Sequence, residues 1–480
     1  MERNKVVTSN LIWRLLERFG AQGVTFIVSI VLARVLEPSV YGTVALITII
    51  TTILQVFVDS GLGTALIQKK DADSLDFSTV FYFNFLVCIV LYIGLFAFAP
   101  YIANFYNNMD LVPVIRVLGL ILVISGFKNI QNAYVSKYLL FKLYFFATLG
   151  GTITAGIVGI WMVYHGYGIW ALVIQNIVNQ GIDTIILWVL VKWRPTKEFS
   201  ISRLRNLFSY AWKLLLSSLL DTVWGQLRQL IIGKIYSTND LAYYNKGNEF
   251  PNYTTLALNS SIDSVLLPVM SQAQDSIDEV RSMTRRAIKT SSFILWPMMM
   301  GLAGCSSSFI CLVLTDKWLP CVPYLIIFCI VYAFYPIHTA NLNAIKALGR
   351  SDLFLILEII KKILNLLVIL LTVQFGPFYM ALGSIFVSVC SQIINSWPNR
   401  KLLNYKYQEQ IMDIFPYIVM SVLMAGIVYS IELLNLPNLV TIGIQIPVGI
   451  IFYIGVSWIL KIDSFVYCIT ILKKYVRRKQ

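Results

Sequence analysis

The sequence predicts an all-α polytopic membrane protein with about 14 transmembrane helices. Hydrophobic residues make up 58% of the 480 residues and charged residues only 13%, whereas soluble domains are ~45–50% apolar and ~25% charged. Apolar runs of the ~20 residues that a bilayer-spanning helix needs follow one another along the chain. Short loops separate these runs, and Lys and Arg are concentrated in every second loop.

Each predicted span is an apolar run bounded by loop residues, and the length of the run sets its limits. In chain order, the spans are predicted at 11–33, 41–66, 78–99, 111–133, 144–164, 168–191, 207–232, 250–271, 287–314, 321–345, 353–374, 377–398, 412–434 and 438–460. The stretch 463–472 is short and of mixed polarity, so we expect it to lie at the membrane interface or to end the fold.

The distribution of basic residues predicts the orientation. One set of alternate loops, together with both termini, contains most of them, including Lys69, Lys70 and the segment 192–205. The other set contains only Arg34, Lys234, Lys246 and Lys317. Because cytoplasmic loops carry the excess of Lys and Arg, we expect both termini to lie in the cytoplasm.

Composition argues against several other classes of protein. The formal net charge of +14 is spread over short loops between apolar runs, which is typical of membrane topology and not of nucleic-acid binding. The seven cysteines lack paired spacing, and two histidines are too few for a multi-histidine metal centre. We find no phosphate-binding glycine loop and no nucleophile elbow. We therefore expect a transporter without cofactor or metal, and not an enzyme.

The two halves of the chain have related sequences. Without gaps, the stretch after the first span aligns with the stretch after the seventh, with Arg34 on Lys234 and Gly42 on Ala242. Since six spans separate them, both repeats start on the same side, as parallel repeats about an axis along the membrane normal do. We predict an N-terminal lobe at 1–195, a basic cytoplasmic linker at 196–206, a C-terminal lobe at 207–400, and two further spans with a basic tail at 401–480.

Several spans contain ionisable residues, which cost from ~2.5 kcal/mol upward at the bilayer centre and usually face a polar interior. Those on the first, second, seventh and eighth spans are Arg14, Glu17, Arg18, Asp59, Lys213, Asp221, Arg228 and Asp263. Cations outnumber acids on the first and seventh spans, and Arg binds phosphate through paired hydrogen bonds. A cavity that holds anionic cargo is therefore one interpretation.

A second interpretation stays open for the charges near a cytoplasmic end. Arg14, Lys213 and Lys128 lie within about two turns of such an end, from which long side chains reach the lipid headgroups. Glu17 would then only neutralise Arg14 or Arg18.

Short motifs distributed along the chain resemble one membrane-protein family. They are Trp13-Arg-Leu-Leu-Glu-Arg-Phe-Gly, Leu32-Ala-Arg-Val-Leu-Glu-Pro-Ser-Val-Tyr-Gly, Asp59-Ser-Gly-Leu-Gly-Thr-Ala-Leu-Ile-Gln-Lys-Lys-Asp, Ile232-Gly-Lys-Ile-Tyr-Ser and Leu241-Ala-Tyr-Tyr-Asn-Lys. The chain resembles the Wzx-type polysaccharide flippases, which translocate oligosaccharide repeat units, and especially their exopolysaccharide and lipopolysaccharide branch. Their superfamily includes the MATE exporters and the lipid II flippase. Two departures, Glu37-Pro38 in place of Gly-Pro and Ala242 in place of glycine, affect turn positions only.

The resemblance implies two six-helix lobes, related by a pseudo-two-fold axis around a central cavity, plus two C-terminal helices. It implies a multi-pass flippase of the bacterial cytoplasmic (inner) membrane that moves polyprenyl-pyrophosphate-linked oligosaccharides to the outer leaflet by alternating access. Membrane lipids, a coupling cation (Na⁺ or H⁺) and a polysaccharide polymerase are the expected partners. The residues that fit pyrophosphate binding are Arg14, Arg18, Lys213 and Arg228. Those that fit charge balance or ion coupling are Glu17, Asp59, Asp221 and Asp263.

Two alternatives stay open. A cation-coupled multidrug or small-molecule exporter of MATE-like architecture would have an acidic cavity, against which the excess of Arg and Lys argues. A membrane glycan polymerase or ligase would need a large outer loop that carries catalytic groups, and Phe105–Val112 and Lys234–Phe250 are short.

Overall fold

A computed structural model describes the backbone of residues 2–59 and 61–477. Side chains are described in these ranges except at 2–12, 14, 15, 18, 19, 257, 260, 261, 263–265 and 471–477. Throughout the described ranges, the regular elements are helices. Contacts divide the chain into two units, Met1–Ala242 and Tyr243–Gln480.

The first unit is built of nine helices and the beginning of a tenth. They are α1 (Glu2–Val35), α2 (Pro38–Asp59), α3 (Leu62–Gln68), α4 (Ser74–Phe105), α5 (Leu111–Leu118), α6 (Leu120–Lys137), α7 (Phe141–Tyr164), α8 (Ile169–Leu190), α9 (Ile201–Ile235) and α10 (Thr238–Gln272). The helix α7 packs on α1 and α8, while α9 packs on α2 and α3.

The second unit contains the rest of α10 and ten more α-helices. They are α11 (Ile277–Gly304), α12 (Ser306–Val313), α13 (Val322–Ala333), α14 (Tyr335–Ala347), α15 (Ser351–Thr372), α16 (Pro377–Ser396), α17 (Asn399–Leu402), α18 (Tyr407–Glu432), α19 (Asn438–Ile459) and α20 (Asp463–Arg477). A 3₁₀ helix at Asp316–Cys321 precedes α13. The helix α18 packs between α11 and α19.

Every predicted span lies on one helix or on consecutive helices. In the described ranges, nine helical segments are long and apolar enough to cross a membrane, or ten if the bent α11–α12 pair is one span. Charged and polar side chains interrupt the other long helices, α1, α9, α10 and α15. The predicted class, an all-α polytopic membrane protein, is confirmed, and the number of fourteen spans stays a prediction.

The connection between α8 and α9 has no regular structure over residues 191–200 and is held against α4. The Thr196 N–H donates to Ser78 Oγ at 2.9 Å, and Arg203 pairs with Asp73 at 2.5 Å. Ser200 ends the connection, because its Oγ accepts from the Arg203 N–H and caps α9. The helix α9 therefore begins at Ile201 and covers the end of the predicted linker at 196–206.

The repeat predicted from sequence has a counterpart in local geometry. The helix α1 ends at Val35 and α2 begins at Pro38, while α9 ends at Ile235 and α10 begins at Thr238. One backbone hydrogen bond of 2.9 Å ends the first helix of each pair. The Leu36 N–H donates to Leu32 O in the first repeat, and the Tyr236 N–H donates to Ile232 O in the second. The two helix–break–helix corners therefore match residue for residue.

The corner in the first repeat requires glycine at position 42. A Cβ atom there would lie 1.8 Å from the backbone oxygen of Thr238, at the start of α10. Backbone therefore approaches backbone directly at this point, and a side chain would separate the two corners.

Candidate functional site

The structure describes five of the eight site residues predicted from sequence. The side chains of Arg14, Arg18 and Asp263 lie outside the described residues. Glu17 on α1 and Arg228 on α9 are half-buried, whereas Asp59, Lys213 and Asp221 are exposed. Asp221 and Arg228 lie seven residues apart on α9, about 10 Å along its axis.

Asp59 and Lys213 flank one contact between two helices. Asp59 is the last residue of α2, and Gly61 follows it with a φ of 65°. A Cβ atom at Gly61 would lie 2.7 Å from the backbone oxygen of Ala211 on α9. The left-handed backbone and the close approach both require glycine, and they bring the end of α2 against the segment of α9 that carries Lys213.

A buried ion pair joins α6 to α8. Lys128 Nζ lies 2.5 Å from Asp183 Oδ2, and the two side chains are 15% and 5% exposed. Lys128 Nζ also lies 3.4 Å from Gln180 Oε1, and Gln180 Nε2 donates to Ser125 Oγ at 2.9 Å. Within the described part of the chain, Asp183 Oδ1 is buried without a hydrogen-bond donor.

The same polar region reaches the end of α2. Asn129, next to Lys128 on α6, donates from Nδ2 to the backbone oxygen of Val58 at 2.8 Å. Asp59 follows Val58 directly and is the last residue of α2. We call Asp59, Ser125, Lys128, Asn129, Gln180 and Asp183 the polar cluster. Its two carboxylates and one ammonium group give a formal charge of −1, which suits one bound monovalent cation or proton.

Close packing of α7 on α8 encloses this cluster. A Cβ atom at Gly151 on α7 would lie 2.8 Å from the backbone oxygen of Asn179 and 3.0 Å from Asp183 Cβ. Glycine at this position lets α7 cover Asp183, so the carboxylate is shielded from solvent and depends on Lys128 for its neutralisation.

From the sequence alone, Lys128 is expected near a membrane end, without Asp183 as its partner. The pairing nevertheless leaves a trace in the sequence. The fourth and sixth predicted spans run in the same direction, and their opposite charges lie five and eight residues before the predicted ends at 133 and 191. Similar depth on parallel spans is the pattern expected of two charges that neutralise one another inside a membrane.

The second unit contains an apolar groove between α11, α18 and α19. Its volume is about 440 Å³, and its walls include Pro297, Gly301, Met424, Gly449 and Ile450. The helices α11 and α12 bend by 72° beside it. A hydrocarbon chain fits a groove of this composition, while a charged headgroup would lose its hydration there.

Buried amides join α14, α17 and α18 in the same unit. Asn341 Nδ2 donates to Gln410 Oε1 at 2.7 Å, and Asn399 Nδ2 donates to Asn341 Oδ1 at 2.6 Å. All three residues are fully buried. Such a hydrogen-bonded network specifies one helix arrangement, because any other would leave buried amides unpaired.

The fold and the charged groups inside it define a multi-pass helical membrane protein. The profile of the family described as "Polysaccharide biosynthesis protein" matches residues 31–323. This chain belongs to that family, which confirms the family resemblance found in the sequence.

Named relatives and a solved structure agree with this assignment. The chain is 25% identical to the teichuronic acid biosynthesis protein TuaB of Bacillus subtilis over 84% of this chain and 85% of the relative. It is 24% identical to the lipopolysaccharide biosynthesis protein WzxC of Escherichia coli over 80% of this chain and 79% of the relative. The structure of the lipid II flippase MurJ, inward closed, matches 94% of this chain and 99% of its own with a TM-score of 0.76. At 17% identity, that likeness establishes a shared fold.

Proposed function

We propose that this protein is a flippase that moves a lipid-linked oligosaccharide across the cytoplasmic membrane for the synthesis of a surface polysaccharide. The family match over residues 31–323 carries the proposal. Between the described helices, the longest connection is the stretch 191–200, which is too short for a catalytic domain. This supports translocation over polymerisation or ligation, and the family supports it over drug export.

The cargo that we propose is an oligosaccharide on polyprenyl pyrophosphate. Lys213 and Arg228 on α9, together with Arg14 and Arg18 of the first span, are our candidates for contact with the pyrophosphate, because guanidinium and ammonium groups bind phosphate oxygens. The apolar groove beside α19 supports the hydrocarbon part of such a cargo. The excess of Lys and Arg in alternate loops supports cytoplasmic termini.

The polar cluster is our candidate for the site of cation coupling. Its formal charge of −1 and the unpaired Oδ1 of Asp183 favour a proton or a small cation, and the exposed Asp59 offers an entry point. Glu17, Asp221 and Asp263 stay further candidates for coupling or charge balance.

Vesicles reconstituted with the purified protein test the flippase proposal. They would contain a fluorescent polyprenyl-pyrophosphate oligosaccharide, and a membrane-impermeant reductant would quench the outer leaflet. We expect quenching to go beyond the outer-leaflet fraction only in vesicles with protein. Quenching that stops at this fraction, with efflux of a cationic dye from the same vesicles, would instead identify a drug exporter.

A second measurement addresses coupling separately. Imposed proton and sodium gradients should accelerate flipping by the wild-type protein. The triple variant D59N/K128Q/D183N keeps a polar site and removes all three charges, so we expect it to flip without any response to either gradient. A normal gradient response in this variant would exclude the polar cluster as the coupling site while leaving the flippase proposal intact.

A further inference from the structure

A basic cavity lies in the second unit, outside the groups discussed above. It opens between the first turns of α11 and the amphipathic helix α20, and its volume is about 490 Å³. Arg285, Arg286 and Lys289 line it from α11, and Asp463 and Tyr467 line it from α20. The helix α20 follows the spanning helix α19, and the basic part of α11 precedes its apolar part, so the cavity lies at a membrane interface.

Two of the three cations have carboxylate partners. Arg285 donates to Asp413 Oδ2 from Nε at 2.7 Å and to Oδ1 from a terminal nitrogen at 2.6 Å. Lys289 Nζ lies 3.0 Å from Asp463 Oδ2, and the Asp463 side chain is 85% exposed. These contacts fix the two side chains and offset their charges.

Arg286 is different. Its guanidinium lies 5.4 Å from the ring centroid of Tyr467, and the described ion pairs include none with Arg286. Among the side chains that the structure describes here, three cations face Asp463 and, through Arg285, Asp413, which leaves one positive charge. A group with a single negative charge and several acceptor oxygens would neutralise this positive charge and accept hydrogen bonds from the guanidinium. A phosphodiester has both properties.

The helix α20 is anchored well enough to form a stable wall. Ser464 is buried and shares a hydrogen bond of 2.8 Å with Tyr417 on α18. The ring of Phe465 lies 6.4 Å from that of Phe293 on α11. These contacts hold the first turn of α20 against the bundle, so that Tyr467 stays opposite Arg286.

We propose that this cavity binds the phosphate of an anionic membrane phospholipid with one negative charge, such as phosphatidylglycerol. The guanidinium of Arg286 binds the phosphate oxygens, with the ammonium of Lys289 beside them. The interfacial position puts the cavity at the depth of headgroup phosphates, which favours a lipid over phosphate from solution. Thr290, which also lines the cavity, adds a hydroxyl donor. The site is independent of the cargo and of the flippase proposal.

Native mass spectrometry of the purified full-length protein tests this proposal. The protein would be incubated with equal amounts of phosphatidylglycerol and phosphatidylcholine. We expect preferential retention of phosphatidylglycerol, and a loss of roughly tenfold in its affinity for R286Q, because one charge-assisted interaction is removed. R281Q is the matched control, since Arg281 lies on the same helix, pairs with Glu409 and does not line the cavity.

A second variant keeps the test decisive if R286Q does not fold. D463N removes an exposed carboxylate and raises the charge of the cavity by one unit, so phosphatidylglycerol should bind more tightly to it. Equal retention of both lipids, or equal effects of R286Q and R281Q, would overturn the proposal. If millimolar inorganic phosphate displaces the lipid, the site binds free phosphate and the assignment to a lipid headgroup is wrong. Resistance to such displacement supports a lipid ligand.

Discussion

Replacement of Lys128 by methionine tests the interpretation of the buried ion pair. In the wild type, the ammonium lies 2.5 Å from a carboxylate that is only 5% exposed. The variant leaves Asp183 charged and buried with no cation in contact, which costs about 3–5 kcal/mol in typical proteins. Because Lys128 is 15% exposed, and Gln180 at 3.4 Å compensates little, we expect a loss of about 3 kcal/mol in the free energy of unfolding.

A double-mutant cycle isolates the energy of the pair from other effects of each substitution. The free energy of unfolding would be measured in micelles by denaturant titration with tryptophan fluorescence, for wild type, K128M, D183N and K128M/D183N. The double variant has no buried charge, so it should lose clearly less than the sum of the single variants, by about 2 kcal/mol. A coupling energy below about 0.5 kcal/mol would refute the reasoning.

K361M is the matched control for this cycle. Lys361 is also 15% exposed and also lies 2.5 Å from a carboxylate, that of Glu358. Glu358, however, is on the same helix and is 32% exposed, so the protein encloses it less than it encloses Asp183. We expect K361M to cost less than about 1 kcal/mol.

Three further predictions concern single residues. G61A should lower the free energy of unfolding by at least about 1–2 kcal/mol, because alanine is strained in the left-handed backbone and its Cβ clashes with α9. The control is G166A, where φ is 79° but nothing lies within 4 Å of the new Cβ. The melting temperature should therefore fall less in G166A than in G61A. N341L leaves buried amides unpaired and should cost about 2–4 kcal/mol in the same measurement, while N438A at the exposed start of α19 should cost little. The hydrogen bond from the Arg203 guanidinium lowers the pKa of the Asp73 carboxyl from its usual 3.8 to about 2, so its stabilising contribution is complete above pH ~4 and is lost as pH falls toward about 2. Melting temperatures measured across that range should therefore fall less in D73N than in the wild type.

The positions of the helices were largely predictable, because the length of an apolar run and the requirements of a bilayer determine them locally. The helix–break–helix corner was also predictable, since Val35 and Ile235 fall at corresponding positions of two related stretches. Helix α9 begins at Ile201, six residues before the predicted span at 207–232, because the polar residues before Leu207, which do not resemble a membrane span, continue the helix. Ser200 caps this helix, but the sequence indicates the cap only if residues 201–206 are treated as a helical turn outside the bilayer.

The partners of the charged residues were much less predictable. Helix α6 makes its ion pair with α8, which is not its neighbour in sequence, and Asp73 meets Arg203 across 130 positions. Composition and periodicity show that a charged residue lies within a predicted span, where contact with lipid is unfavourable. The group that neutralises the charge, however, depends on which helices are adjacent. Of the two interpretations left open for Lys128, the structure supports a polar interior, because the carboxylate of Asp183 lies 2.5 Å from its ammonium group.

The contacts connect the polar cluster to the charged helix α9 through one short segment. Asn129 holds the backbone of Val58 at the end of α2, and three residues later Gly61 packs directly on Ala211 of α9. The first contact is a single hydrogen bond from Asn129, the residue next to Lys128 on α6. In the second contact, the backbone at Gly61 lies directly against the backbone of Ala211. No side chain lies between the two segments that could change its rotamer when one of them moves. We propose that a change in the charge of the polar cluster reaches the part of α9 that carries Lys213 through these two contacts, as coupling of a cation to the proposed cargo would require.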